Sequence, residues 1–445
     1  MNVPKLRFPE FQDEGEWEEK RLDEMFDFQS TANNSRADLS NAGNTFYIHY
    51  GDIHTKFHQY IDFSKDTIPK IPSRLYRNAT FLKNGDLVIA DASEDTEGIA
   101  KAVEVRGLEH GVNAISGLHT ILLRDSRQNY VNGFKGLLRE IETVKKQIKR
   151  LAVGVKVYSV SKTVLKQVLL PLPSYPEQQK IADCLSSIDE LITAQTQKLN
   201  TLKTHKKGLM QQLFPAEGET LPKLRFPEFQ DAPEWEKNLL DSKVIKVGSG
   251  ITPRGGDKNY KNNGRPFVRS QNVGWGVLLL DDVAYIDEQT HATFPSTEIE
   301  NGDVLLNITG ASIGRCAVAD YRIKSGNVNQ HVCIIRLKAE ELTPEFLNQY
   351  LLSQYGQKQI DSFQAGGNRQ GLNFAQVRSF VIPHPYRDEQ IKVAQFLSSI
   401  DDLITAQTQK LATLKTHKKA LMQQFFPADG NNHPAPSGHP SRGGE

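Results

Sequence analysis

The stretch SSIDELITAQTQKLNTLKTHKKGLMQQLFPA at 186–216 decides how the rest of the sequence is read, because it returns at 398–428 as SSIDDLITAQTQKLATLKTHKKALMQQFFPA. The copies lie 212 residues apart and differ at four of 31 positions: Glu190/Asp402, Asn200/Ala412, Gly208/Ala420 and Leu213/Phe425. Apolar residues of the first copy fall at Leu185, Ile188, Ile192, Leu199, Leu202, Leu209 and Leu213, interrupted by Gln195 and Lys206. The second runs Leu397, Ile400, Ile404, Leu411, Leu414, Leu421 and Phe425, interrupted by Gln407 and Lys418. A 3,4 alternation sustained over this length is the seam of a coiled coil. The simplest partner for each helix is the other copy. Packed antiparallel, they relate the half-chains by a pseudo-two-fold axis, near which Gln195 and Gln407 are expected to share an amide hydrogen bond. A helix from Glu177 to Leu213 makes a rod of about 55 Å, able to hold two bodies at a fixed distance.

A second block repeats as well. PKLRFPEFQD at 4–13 recurs at 222–231, and Glu-Trp-Glu follows at 16–18 and 234–236. Between the blocks the halves diverge, and only traces align: NGDLVIADAS (84–93) with NGDVLLNITG (301–310), and GLHTILLR (117–124) with NQHVCIIR (329–336). Short β-rich runs bounded by Asn-Gly and Asp read as strands and turns. YVNGFKGLLREIETVKKQI (130–148) and TPEFLNQYLLSQYGQKQID (343–361) read as amphipathic helices. The expected fold class is α+β (mixed α/β). A first globular module spans 1–172, a spacer helix 173–215, a linker 216–222, a second module 223–384, a second spacer helix 385–427, and a tail at 428–445. That tail is too rich in Pro, Gly and polar residues to bury anything and is expected to be disordered.

Composition narrows the class. Over 445 residues, 54 Lys and Arg face 53 Asp and Glu for a net charge of +1, with 38% hydrophobic residues, which sets aside disordered and collagen-like chains. No apolar run of about 18 residues occurs, so a cytoplasmic protein is expected. Cys184, Cys316 and Cys333 are odd in number and far apart, which offers neither a disulfide framework nor a zinc cluster.

Three motif pairs together resemble the specificity (S) subunit of type I restriction-modification enzymes. They are the Pro-x-x-Pro-Glu-Gln and Pro-x-x-Asp-Glu-Gln helix starts (173–178; 385–390), the Ile-Asp-x-Leu-Ile segments (188–192; 400–404) and the HKKxLMQQxFP ends (205–215; 417–427). The resemblance covers the chain to about residue 428. It implies that each module is a target recognition domain reading half of a split, asymmetric DNA site, that the helices pack antiparallel as a spacer, and that each repeat docks one methyltransferase subunit. Restriction/translocase subunits are optional further partners, and the host is bacterial or archaeal. S-adenosylmethionine, ATP and magnesium belong, on this reading, to partner subunits, and the chain itself binds no cofactor.

Local charge marks where DNA is expected. Residues 133–170 hold nine Lys or Arg against Glu140 and Glu142, a net of +7, and 251–280 carry a net of +4. Basic stretches are the phosphate footprint expected of a nucleic-acid binder. In the first module the candidates are Lys145, Lys146, Lys149, Arg150, Lys156 and Tyr158. In the second they are Arg254, Lys258, Asn259, Tyr260, Arg269, Gln271 and Asn272 in one loop, and Asn368, Arg369, Gln370 and Asn373 in another. Arg suits guanine and Asn or Gln suits adenine as base-edge partners, and the intervening glycines permit close backbone approach. His119 and His331 occupy equivalent strand positions and read as sheet residues. The HKK clusters read as cations complementing helix C-termini.

Motifs for chemistry are lacking: no GxxxxGK[ST] loop, no GxGxxG fingerprint and no Asn/Asp-Pro-Pro-aromatic signature occurs. A non-catalytic adaptor is therefore expected. The alternatives are a stand-alone nuclease with repeated domains, for which Asp86, Glu94, Asp95 and Lys101 are the scattered material, and a coiled-coil scaffold unrelated to DNA.

Overall fold

The structure is a computed structural model and describes residues 3–40, 43–154, 156–253, 255–338, 340–364 and 371–427, with residue 257 described in its backbone alone. The tail at 428–445 lies outside the described residues. Two compact units form: the described residues up to Ala194 together with those from Leu411, and Gln195–Lys410. Each unit joins one module to part of both long helices, Tyr175–Leu213 and Arg387–Phe425.

In the first unit a five-stranded sheet is built from β1 (Asp27–Gln29), β2 (Tyr60–Asp62), β3 (Leu87–Ala90), β4 (Ala102–Arg106) and β5 (Thr120–Arg124), in the order β1-β5-β3-β4-β2. The central strand β3, Leu-Val-Ile-Ala, is a continuous apolar run because both its faces are covered. Leu87, Ile89, Ile121 and Leu123 pack into one core, while Val88, Ala90, Val103 and Leu122 pack into another. The second unit repeats the pattern with β6 (Val244–Ser249), β7 (Val304–Asn307), β8 (Cys316–Val318) and β9 (Val332–Leu337), ordered β6-β9-β7-β8. Here Val304, Leu306, Cys333 and Ile335 serve one core, and Leu305, Ala317 and Ile334 the other.

The aligned traces keep even their register. Val88 faces Leu122 across β3 and β5, and Leu305 faces Ile334 across β7 and β9. Before each strand a glycine turns the chain at φ +85° (Gly85) or +87° (Gly302), a left-handed conformation that suits glycine. Buried Asp86 and Asp303 then accept forked hydrogen bonds from Arg124 and Arg336, at 2.7 and 2.8 Å in one unit and 2.8 and 2.9 Å in the other. A strand-edge pairing closes each module, Glu18–Arg21 with Leu169–Leu172 and Glu236–Leu239 with Val381–His384.

The long helices run antiparallel within each unit. In the first, Ile181, Ala182 and Leu185 share a core with Leu421, Met422, Phe425 and Phe426, and Lys418 bonds Asp189 at 2.7 Å. In the second, Met210 and Leu213 share a core with Val393, Ala394 and Leu397, and Lys206 bonds Asp401 at 2.7 Å. Among the other seam positions Ile188, Leu199 and Ile400 are buried, and Ile192, Leu202, Ile404, Leu411 and Leu414 are half-buried.

Three expectations change. The side-chain oxygens of Gln195 and Gln407 are buried, and neither has a hydrogen-bond partner among the described residues, so the shared amide bond does not form. Lys206 and Lys418 answer helix-borne carboxylates in the seam instead of complementing helix ends. The two amphipathic stretches are interrupted: a 3-10 turn at Lys135–Glu140 precedes helix Glu142–Leu151, and Pro344–Leu352 stops where Ser353 caps a new helix, Gln354–Ser362, by accepting from Gly356 N–H at 3.3 Å.

Candidate nucleic-acid interface

The loops expected to touch DNA are attached to the same end of the sheet in both units. In the first, β3 runs through Asp91 into Ala92–Ser93, which pairs antiparallel with Tyr158–Ser159 of the 151–162 loop. In the second, Thr309, just past β7, bridges Gly371, and Leu372 N–H donates to the Ile308 carbonyl at 2.8 Å. Asn307 ties the other loop to this place through a 2.8 Å bond from its side-chain amide to the Ser270 carbonyl.

His119 and His331 stand beside these junctions, each in the turn residue or two before its strand instead of on it. His119 adopts φ +57° and is exposed, with Nδ1 3.1 Å from the Asp91 carboxylate. A tight approach fixes its turn, since a Cβ at Gly117 would lie 1.8 Å from the Tyr47 hydroxyl oxygen. Tyr50 packs its ring near those of His49, His54 and His119, at centroid separations of 4.7, 6.3 and 5.3 Å. Tyr50, His54 and His119 line a cleft of about 1040 Å³ together with Lys101, Lys145 and Lys415. Burial holds the Lys101 ammonium below its ordinary pKa, and its Nζ donates to the His54 carbonyl at 2.9 Å. His331 contacts Thr309 Oγ1 through Nδ1 and Gln330 through Nε2.

The basic stretch at 133–170 divides by burial. Lys135 and Arg139 are interior, Arg139 donating to the Ile99 carbonyl at 2.8 Å with its pKa lowered by burial. Lys145 pairs with Glu140 at 2.8 Å and Lys149 with Glu97. Lys146, Arg150 and Lys156 are exposed, and Tyr158 is half-buried.

In the second module Asp282 stitches the 252–276 loop. Arg269 donates to its carbonyl at 2.6 Å, Gln271 to its carboxylate, and Asn272 to its carboxylate at 2.9 Å. Asn272 is fully buried and also bonds the Leu279 carbonyl, so it holds the loop's shape and is not presented outward as a reader. Tyr260 lies against Phe267 with Arg269 over its ring at 5.4 Å, Asn259 is half-buried, and Lys258 is exposed. Asn373 caps helix Phe374–Arg378, accepting from Gln376 N–H at 2.9 Å. Arg254, Asn368, Arg369 and Gln370 lie outside the described residues.

Sequence reasoning missed Asp91, Tyr50, Asp282 and Gln330. The only signal for the last was its place beside His331 in an aligned trace. Among the described residues no cluster of His, Cys, Asp and Glu could hold a metal, and no helix is long and apolar enough to cross a membrane.

A family model described as the type I restriction modification DNA specificity domain matches residues 14–204 and 234–416. Relatives include the type I restriction enzyme MjaVIII specificity subunit of Methanocaldococcus jannaschii, 26% identical over 60% of this chain and 64% of the relative, so the chain spans slightly under two thirds of that protein. The putative type I restriction enzyme MjaX specificity subunit of the same organism is 26% identical over 76% of each chain. Among solved structures, the type I restriction-modification system S subunit from M. genitalium aligns with a TM-score of 0.60 at 15% identity, over 96% of this chain and all of that one, which is a likeness of fold.

Proposed function

The chain belongs to the type I restriction modification DNA specificity domain family, and on that premise we propose that it is a non-catalytic specificity subunit. Each module reads one half of a bipartite, asymmetric DNA site, and each copy of the repeated helix docks one methyltransferase subunit. Adenine N6 methylation, and restriction where a cleaving subunit joins, are carried by those cytoplasmic partners. S-adenosylmethionine, ATP and magnesium are assigned to them as well.

One observation carries most of this reading. Two sheets that share the order of four strands and the register of their central pair present loops of unlike composition at equivalent ends, Tyr158–Ser159 beside Ala92–Ser93 and Gly371 beside Thr309. Like scaffolds with unlike heads suit two different half-sites, whereas identical heads would suit a palindrome. Near-identity of the helices, solvent-facing positions such as Thr201, Thr204 and His205 included, suits one partner bound twice.

Mapping methylated adenines in cells that carry this chain with its methyltransferase tests the proposal. The expected result is a single motif of two unlike halves at a fixed gap; a palindromic, continuous or absent motif overturns it. Seven residues inserted into both helices are expected to lengthen the gap by about three base pairs, from about 1.5 Å per helical residue and 3.4 Å per base pair, with both halves unchanged.

A further inference from the structure

Five identities survive in the aligned traces of the two modules: Asn84/Asn301, Gly85/Gly302, Asp86/Asp303, His119/His331 and Arg124/Arg336. The glycines are used in left-handed turns, and the Asp and Arg residues in the buried ion pairs. The histidines have no such interior use. His119 is exposed, His331 is half-buried, and both stand where the candidate loops attach.

Both imidazoles are held in the same tautomer. The Asp91 carboxylate can only accept, so His119 Nδ1, 3.1 Å away, carries the proton. Gln330 approaches His331 Nε2 at 3.0 Å with its amide nitrogen, which can only donate. That leaves the proton on His331 Nδ1, donated to Thr309 Oγ1. In the neutral ring of each module Nε2 is therefore the acceptor.

The modules differ in the residue before the histidine, Leu118 in one and Gln330 in the other. Leu118 offers no polar group, and His119 Nε2 has no hydrogen-bond partner among the described residues, while its ring lines the cleft beside Tyr50. In the second module Nε2 holds the carboxamide of Gln330, whose oxygen also accepts from Thr252. Gln330 is exposed. A carboxamide has two N–H donors and two lone pairs, so one of each remains. That is the complement an adenine edge requires.

We propose that His119 and His331 form a shared pivot for base reading. His119 presents its Nε2 lone pair to the exocyclic amino group of an adenine or cytosine in the first half-site, and His331 acts as a positioning residue that sets Gln330 against an adenine in the second. The inference rests on the reading of this chain as a DNA specificity subunit.

The test is the methylation motif written by the full complex with the methyltransferase subunits, for wild type and for His119→Ala, Gln330→Ala, His331→Ala and Leu118→Gln. His119→Ala is expected to lower discrimination at one position of the first half-site by about fivefold or more, with the second half-site intact. Gln330→Ala and His331→Ala are expected to relax one and the same adenine of the second half-site. Leu118→Gln, which transplants the second module's arrangement, is expected to shift the first half-site toward adenine at the position that His119→Ala relaxes. Unchanged motifs in the alanine variants overturn the pivot. So does a uniform loss of affinity across sequences with a salt slope lower by about one, the mark of a phosphate contact. A wild-type complex with no sequence preference overturns the specificity reading itself, which separates the two failures.

Discussion

Arg7 and Glu177 form a buried forked ion pair, Nε to Oε1 at 2.7 Å and Nη2 to Oε2 at 2.8 Å, and Trp17 Nε1 adds a third donor to the same carboxylate at 2.9 Å. The second unit repeats the arrangement with Arg225, Glu389 and Trp235. This joins the PKLRFPEF block to the start of each long helix, and it explains why the glutamate of Pro-x-x-x-Glu-Gln recurs. Glu177 has 1% of its side chain exposed, so Arg7→Ala leaves a buried carboxylate without a countercharge and is expected to cost about 3–5 kcal/mol. Arg7→Met with Glu177→Gln, which keeps an acceptor for Trp17, is expected to cost much less. Urea unfolding followed by tryptophan fluorescence compares the two; equal losses would contradict the account.

Lys206 and Asp401 in one unit, and Lys418 and Asp189 in the other, are largely buried pairs across the antiparallel helices. Their sign order fixes register, because sliding either helix by a turn brings lysine away from its carboxylate. Lys206→Asp alone places like charges together and is expected to destabilise. Lys206→Asp with Asp401→Lys restores attraction, and a double-mutant cycle is expected to give a coupling of about 0.5–3 kcal/mol. Additive single effects would show that the pair sets no register.

Burial lowers the pKa of His49 and of His384, with Arg36 adding to the effect at His49. His49 Nδ1 accepts from Gly51 N–H at 3.0 Å, a bond that protonation removes. A folded pKa below the ordinary value of about 6.5 means that the unfolded chain binds the proton more readily, so the stabilisation is complete above that pH and falls as pH drops. Thermal melts from pH 8 to 5 are expected to show a declining midpoint beginning near pH 6.5, less steep in His49→Gln with His384→Gln. An equal slope in that variant would place the acid sensitivity elsewhere.

How much of this was legible in the sequence depends on the range of the interaction. The strands and the seam were, because Leu87–Ala90 and Val332–Ile335 are continuous apolar runs and the leucines keep a fixed period. The partners of Lys206 and Lys418 were not, since a lysine on a seam says nothing of which carboxylate lies opposite. The role of Asn272 is ambiguous in sequence for a related reason: its amide suits a base edge and the Asp282 carboxylate alike, and only folding places Asp282 within 2.9 Å. His119 read as a sheet residue from its neighbours in sequence, whereas its left-handed turn depends on Tyr47 crowding Gly117.

Cys316 and Cys333 are buried, burial raises both thiols, and that of Cys333 is pushed up to about 12. Thiolate is the reactive form, so neither is expected to react with an alkylating reagent at pH 8 while the protein is folded. Cys184 is half-buried, with its pKa raised by burial to a lesser extent, and is expected to be modified slowly. Intact mass after iodoacetamide should show one adduct in buffer and three in urea; three adducts in buffer would contradict the packing of the second sheet.

The basic residues of the first module separate into two functional classes that one experiment can tell apart. Arg139 is interior and bonded to the Ile99 carbonyl, so Arg139→Ala is expected to lower the melting temperature. Arg150 and Lys156 are exposed at the end of helix Glu142–Leu151 and in the loop that follows. If both touch phosphates, Arg150→Ala with Lys156→Ala leaves the melting temperature unchanged, weakens DNA binding across all sequences, and lowers the slope of log affinity against log salt by about 1.8, at about 0.9 per phosphate. Fluorescence anisotropy from 50 to 300 mM KCl reads that slope. A wild-type slope in the double variant would remove both residues from the interface and shift the footprint toward the cleft lined by Lys101 and Lys415.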